Sequence, residues 1–314
     1  MRKVLSACLL TAATLGLSAQ APEAHRPASL AQTQPLLWTR MTEDITRLAN
    51  EVDGRVGVYV RDLETGAAFS LRGDEVFPAA STIKLAILLE LYRQAQGGPG
   101  RVGLQDAYLV QPGDLAADSA LLGNLGAGTR LTNRDLALFT IVVSDNSASN
   151  ILMDRVGMAR VNATLEGLGL QKTRLRRKMM DLQAVKEGRE NHATPRELAE
   201  LLAAIHQGPL LSPASRTDLL GLLRTPKEGY LTRLLPEELT VANKPGSLPG
   251  VRNDVGVLTL RDRSFVIAIM TSHLRDERQG EAAIARIALR AATCFDAAVA
   301  TSPEGRRLRP LLLP

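Results

Sequence analysis

The sequence predicts an α+β fold in which the two ends of the chain complete one sheet and the middle supplies a helical lobe inserted between them. Three observations carry this. Short β-rich runs open the chain at residues 56–60 and 66–71. Similar runs return near the end, at residues 240–244, 255–260 and 264–270. The stretch between them is mostly helical in pattern, with recognisable caps.

Taken in order, residues 40–49 read as a helix. The two front strands flank Asp62-Leu63-Glu64-Thr65-Gly66, which suits a hairpin turn. An apolar run then carries a helix over residues 81–95, stopped by Gly97-Gly98-Pro99-Gly100. Thr132-Asn133-Arg134-Asp135 has the form of a helix cap, and its helix runs to about Val143. Thr194-Pro195-Arg196-Glu197 starts another: a threonine cap, proline at the first helical position and glutamate at the third. That helix ends at Gly208-Pro209. Arg261-Asp262-Arg263 turns the last two strands, and residues 277–300 form a long final helix.

Composition narrows the function. Of 314 residues, 45% are hydrophobic and 23% charged, which suits a soluble globular chain with a substantial core, as one large domain or two lobes. Aromatics are only 3%, so the core is aliphatic and no stacking platform for single strands is available. The formal net charge is +5, and residues 172–178 hold five basic side chains. In an exported protein that run reads as a solvated loop or a steering surface for anionic ligands, and no nucleic-acid partner is expected.

Met1-Arg2-Lys3, an uncharged stretch from Val4 to Ala19 and small residues after it describe a secretory signal peptide, expected over residues 1–24. A tether rich in Ala, Pro and Gln follows over residues 25–36. The protein is therefore expected to be exported, periplasmic or extracellular, with no stable membrane insertion once the signal is removed. Signal removal leaves Cys294 as the one cysteine, which excludes an intrachain disulfide and suits a small core residue. The four histidines are scattered and no cysteines are paired, so neither a metal nor a cofactor is expected.

The chemistry concentrates in three segments. Ser81-Thr82-Ile83-Lys84 places a hydroxyl and an amine three residues apart, on one face of a helix start. A serine needs a base to act as a nucleophile, and a desolvated lysine can be one. Ser144-Asp145-Asn146 follows the amphipathic stretch ending at Val143. Lys244-Pro245-Gly246-Ser247 follows a strand-like run. In this order the three segments resemble the Ser-x-x-Lys, Ser-Asp-Asn and Lys-Thr-Gly motifs of penicillin-recognising serine enzymes, and specifically the class A β-lactamase family. The likeness extends from about Leu37 to about Ala300.

The resemblance implies a β-lactamase/transpeptidase-like architecture: an antiparallel five-stranded sheet flanked by helices, beside an all-helical lobe. The domain would span residues 37–302, its α/β lobe drawn from 37–86 and 227–302, its helical lobe from 87–226, with a tail at 303–314. It implies Ser81 as nucleophile, Lys84 as its base and Ser144 as a proton shuttle. Asn146, Lys244, Gly246, Ser247 and Arg252 would bind substrate, with the amides of Ser81 and Ser247 as oxyanion donors. Asp145 would be structural. The substrate would be a small molecule, a β-lactam or a D-Ala peptide, acted on by a monomer.

Two positions depart from the family. Pro245 replaces a threonine whose hydroxyl contacts the substrate carboxylate. Met179 stands where the family carries the glutamate that activates the deacylating water, and Gln183 where it carries an asparagine. Asp181, Glu187 and Glu190 are the nearby carboxylates that could serve instead. The expected activity is β-lactam amide hydrolysis through an acyl-enzyme on Ser81. The alternatives are a penicillin-binding D-Ala peptidase or esterase with slow deacylation, or a non-catalytic wall-associated binding protein.

Overall fold

The computed structural model describes residues 29–97, 101–261 and 263–313. A helix α1 (Pro35–Asn50) leads into strands β1 (Arg55–Asp62) and β2 (Ala68–Leu71). Helices α2 (Lys84–Ala95), α3 (Asn133–Val142), α4 (Asn146–Val156), α5 (Pro195–Gln207) and α6 (Pro213–Arg224), with a further helix at Met158–Gly167 and shorter helical turns between them, make up most of the middle. Strands β3 (Thr240–Leu248), β4 (Val251–Leu260) and β5 (Arg263–Ser272) and helix α7 (Glu277–Ala300) complete the chain. The five strands form one sheet in the order β2-β1-β5-β4-β3, each neighbouring pair antiparallel. The α+β architecture expected from the sequence is the one observed.

Alternation along the strands divides the core. On β5, Phe265, Ile267 and Ile269 face a cluster built with α1 and α7, including Met41, Ile45, Ile284 and Ile287. Val266, Ala268 and Met270 face the opposite cluster, which runs through α2 and α5 into the helical lobe. A strand buried on both faces reads as a continuous apolar run, which is what residues 265–270 are. Full burial of each large aliphatic side chain contributes about 1.5–3 kcal/mol of transfer free energy.

The local signals act as their chemistry dictates. Asp62 closes the hairpin by accepting from Glu64 N–H (3.1 Å) and the Thr65 hydroxyl (2.5 Å). Thr132 and Asp135 form a reciprocal cap on α3, at 3.1 and 2.9 Å. Glu197 N–H donates to the Thr194 hydroxyl at 3.1 Å to start α5.

The expected signal peptide lies outside the described residues. The expected tether overlaps them from residue 29, and there the chain is already folded: Leu30 is buried, and the Gln34 amide donates to the carbonyls of Ala298 and Thr301 at 3.1 and 3.2 Å. Pro35 opens α1 five residues before the sequence suggests, because proline is favoured at the first helical position. The segment after α7 also folds back. Leu312 and Leu313 N–H donate to the Asp296 carboxylate at 2.6 and 2.9 Å, and Leu313 is buried. Among the described residues no helix is long and apolar enough to cross a membrane.

Candidate active site

The three motif segments converge on one cleft of about 990 Å³ between the sheet and the helical lobe. Ser81, Ser144, Asn146, Lys244, Gly246 and Ser247 all line it. Such a cleft between lobes is where ligand sites usually form.

Ser81 sits in a single 3-10 turn, Ala80–Ile83, that runs directly into α2. The residue before it, Ala80, has φ +49°, a left-handed conformation that costs a non-glycine residue about 1 kcal/mol or more. Neighbouring asparagines hold this turn. The Asn253 amide on β4 donates to the carbonyls of Pro78 (2.8 Å) and Ala79 (3.2 Å). The Asn191 carbonyl accepts from Ala79 N–H at 2.9 Å. Ser81 is thereby fixed at the positive end of a helix, where a developing negative charge is favoured.

Lys84, the first residue of α2, is fully buried. Its amine meets the Ser144 carbonyl at 2.6 Å, the Asn146 side-chain carbonyl at 2.9 Å and the Ser144 hydroxyl at 3.2 Å. The first two groups only accept. They use the two N–H bonds of a neutral amine and leave its lone pair for a hydroxyl proton. Burial, reinforced by the charge of Lys244 and opposed by Asp145, holds the Lys84 pKa well below the usual lysine range. An amine in that state can accept a proton.

On the other side of Ser144, Lys244 donates to its hydroxyl at 3.0 Å. Burial brings Lys244 down to about 7, with Asp254 opposing the fall and Lys227 adding to it. The Ser144 oxygen therefore bridges two amines. Ser144 itself has φ +53°. Asp145 behind it accepts from Ala148, Leu121 and Leu122 N–H at 2.9, 3.1 and 2.9 Å, so it caps α4 and secures the neighbouring loop. Asp145 is structural, as its sequence context suggests.

Pro245 does not end its strand. The β3–β4 register runs unbroken from Thr240↔Thr259 to Leu248↔Val251, with Pro245 opposite Asp254. A proline fits a ladder only where its nitrogen faces away from the partner strand. β3 is an edge strand, so its other side faces the cleft. The Pro245 carbonyl is indeed on that side, accepting from the Lys244 amine at 2.8 Å. Residues two apart on a strand present their N–H groups in the same direction, so Ser247 N–H also faces the cleft. Gly246 allows the close approach: a Cβ there would lie 2.8 Å from Ser81 N and 3.0 Å from Thr82 N. Gly246 thus brings the strand that carries Ser247 against the turn that carries Ser81.

This arrangement matches more than a fold. The model of the β-lactamase enzyme family matches residues 40–295. The chain belongs to the β-lactamase enzyme family. It is 33% identical to β-lactamase L2 of Stenotrophomonas maltophilia over 256 residues, covering 79% of this chain and 82% of that protein. It is 32% identical to a β-lactamase of Rhodobacter capsulatus, over 74% of this chain and 78% of that one. Among solved structures, a β-lactamase from Sphaerobacter thermophilus aligns with a TM-score of 0.75 at 34% identity, over 82% of this chain and 97% of its own. The protein PBP-A aligns with a TM-score of 0.74 at 30% identity, over 82% and 96%. A PBP-A mutant solved as an acyl-enzyme with penicillin G aligns with a TM-score of 0.75 at 30% identity, over the same shares.

Against the family pattern, Met179 lines the cleft with Met180 and Leu182. Its backbone is clamped at both ends by Asn150, which accepts from Met179 N–H (2.8 Å) and donates to its carbonyl (3.1 Å). None of the three carboxylates that could compensate is among the residues lining the cleft. Asp181 caps the turn Leu182–Lys186 through Ala184 N–H at 2.9 Å. Glu187 is exposed and pairs with Arg189. Glu190 pairs with the buried Arg177 at 2.7 Å.

Arg252 also falls short of the cleft. Its side chain is 18% exposed, and its guanidinium bonds Glu281 at 2.8 Å and donates to the Leu248 and Val251 carbonyls at 3.1 and 2.9 Å. Residues that the motifs do not name complete the site: Asn253, Asn191, Tyr230 and Arg233. Asn253-Asp254 had a signal, two polar residues inside an apolar strand, which when buried must have partners. Tyr230 and Arg233 lie in a loop with no pattern that marks them.

Proposed function

We propose that this chain is a serine hydrolase that opens the β-lactam amide through an acyl-enzyme on Ser81. The observation that carries this is the Ser144 hydroxyl held between the two buried amines of Lys84 and Lys244, in the cleft that Ser81 also lines. The Ser81 oxygen attacks the lactam carbonyl carbon, and its proton passes to neutral Lys84. The carbonyl oxygen takes the negative charge against the Ser81 and Ser247 amides. When the carbon–nitrogen bond breaks, the nitrogen takes the Ser144 proton, which Lys84 replaces. Lys244 supplies positive charge for the substrate carboxylate, and Asn146 an amide for its side chain. Water then cleaves the ester and restores Ser81. The site serves an exported monomer in this reading, in the periplasm or outside the cell, as the basic and apolar start of the sequence suggests.

A second reading is favoured by Met179. A thioether cannot take a proton from water, so acylation proceeds while deacylation lags. The chain would then act on a D-alanyl peptide or an ester and trap β-lactams. Turnover of a chromogenic cephalosporin separates the two. Wild type is expected to turn over repeatedly and Ser81→Ala not at all; a Ser81→Ala variant with full activity contradicts both readings.

The pH dependence has a defined sign. Below the pKa of Lys84 the amine holds its proton and acylation slows. Above about 7, Lys244 loses the charge that an anionic substrate meets. A plot of kcat/KM against pH for the free enzyme is expected to fall on its alkaline side as the pH passes about 7. Lys244→Arg keeps its charge at high pH, so the alkaline limb is expected to move upward. An unmoved limb assigns that ionisation to another group.

A further inference from the structure

We infer that Arg233, stacked on Tyr230 at the cleft wall, is the arginine that receives the substrate carboxylate, in the role the sequence suggests for Arg252. The inference deepens the acyl-enzyme reading and rests on it. Arg252 has its Nε on Glu281 and a terminal nitrogen on two backbone carbonyls, and it does not line the cleft. Arg233 lines the cleft and is 48% exposed. Its guanidinium carbon lies over the Tyr230 ring, 5.0 Å from the centroid. One nitrogen bonds Glu281 at 2.8 Å. Glu281 therefore serves two arginines, through one oxygen each. Arg252 also has the Glu277 carboxylate 4.0 Å away, whereas Arg233 has Glu281 alone and is the more exposed of the two arginines. A guanidinium with remaining N–H bonds suits a carboxylate.

The same wall supplies the hydroxyl that Pro245 lacks. The Tyr230 and Ser247 hydroxyls lie 2.6 Å apart. Two hydroxyls share that one hydrogen bond, so one hydrogen remains to be donated to an anion. Tyr230, Ser247 and Arg233 thus form a short polar strip on the cleft wall. The family's threonine contact is replaced by this pair, one hydroxyl from the loop and one from β3.

The test compares benzylpenicillin with its methyl ester, following Ser81 acylation by intact mass. Arg233→Gln is expected to slow acylation by the acid about 10–100-fold and to leave the ester within about twofold, the span set by losing one charge-assisted contact. Glu281→Gln is expected to act in the opposite direction on the acid, since it releases Arg233 from its competing anion. A purely structural pair would make both substitutions harmful, with acid and ester affected alike. Arg252→Gln is expected to change acid and ester together. The inference is overturned if Arg233→Gln slows both substrates equally, or if Arg252→Gln alone discriminates between them. If wild type acylates with neither compound, the acyl-enzyme reading fails and this inference with it.

Discussion

Lys84→Met is expected to slow acylation of Ser81 by about 10²–10⁴-fold, the usual contribution of a positioned general base. Methionine matches lysine closely in length and suits a buried position. The substitution removes a desolvated amine and leaves two acceptors, the Ser144 carbonyl and the Asn146 side chain, without their donor. These effects oppose each other: burying the amine is costly, and each orphaned acceptor costs about 1–3 kcal/mol. The variant is therefore expected to fold, which a thermal melt checks. Stopped-flow acylation then reads the chemistry. A rate within tenfold of wild type would remove Lys84 from the base role and direct attention to Ser144 and Lys244.

Met179→Glu is expected to raise the deacylation rate by about 10²–10⁴-fold while changing acylation little. Methionine and glutamate are of similar length, and Asn150 clamps the backbone of residue 179 from both sides, so the carboxylate enters the cleft from a fixed point. Met179 is 7% exposed. A carboxylate there would be partly desolvated, which raises its pKa toward the range a base needs near neutrality. Decay of the adduct after removal of free β-lactam measures the effect. Unchanged decay means that wild type already has an efficient water-activating group elsewhere. Asp118 and Glu228 are the cleft-lining carboxylates to substitute next, since Glu281 is committed to two arginines.

Much of this site was legible in the sequence because its parts are local. Ser81 and Lys84 are joined by one turn, and Ser144 to Asn146 by two bonds of chain, so spacing alone gives their geometry. Motif order and the strand pattern then assign them to one cleft. What escaped depends on direction and burial. Pro245 reads as the end of a strand, yet β3 continues to Leu248 because the proline nitrogen faces the unpaired edge. Arg252 occupies the expected register, opposite Ser247, but its side chain turns to Glu281 on α7, 29 residues away in sequence. Arg233 carries no local signal because its importance comes from Tyr230 and Glu281 together. The first turn of the nucleophile's helix reads as α-helix, whereas Ala80–Ile83 is a 3-10 turn held by Asn253 and Asn191. A sequence does not show those long-range bonds.

The most direct measurement of the central claim is the intact mass of the purified mature domain over time after a chromogenic cephalosporin is added, with peptide mapping of any adduct. A stoichiometric acyl adduct is expected on the peptide carrying Ser81, absent in Ser81→Ala. Its lifetime divides the two readings: a transient adduct with fast colour marks a working β-lactamase, and a persistent one marks slow deacylation at the Met179 cleft. Colour without any adduct on Ser81, or an adduct on another residue, would contradict the account.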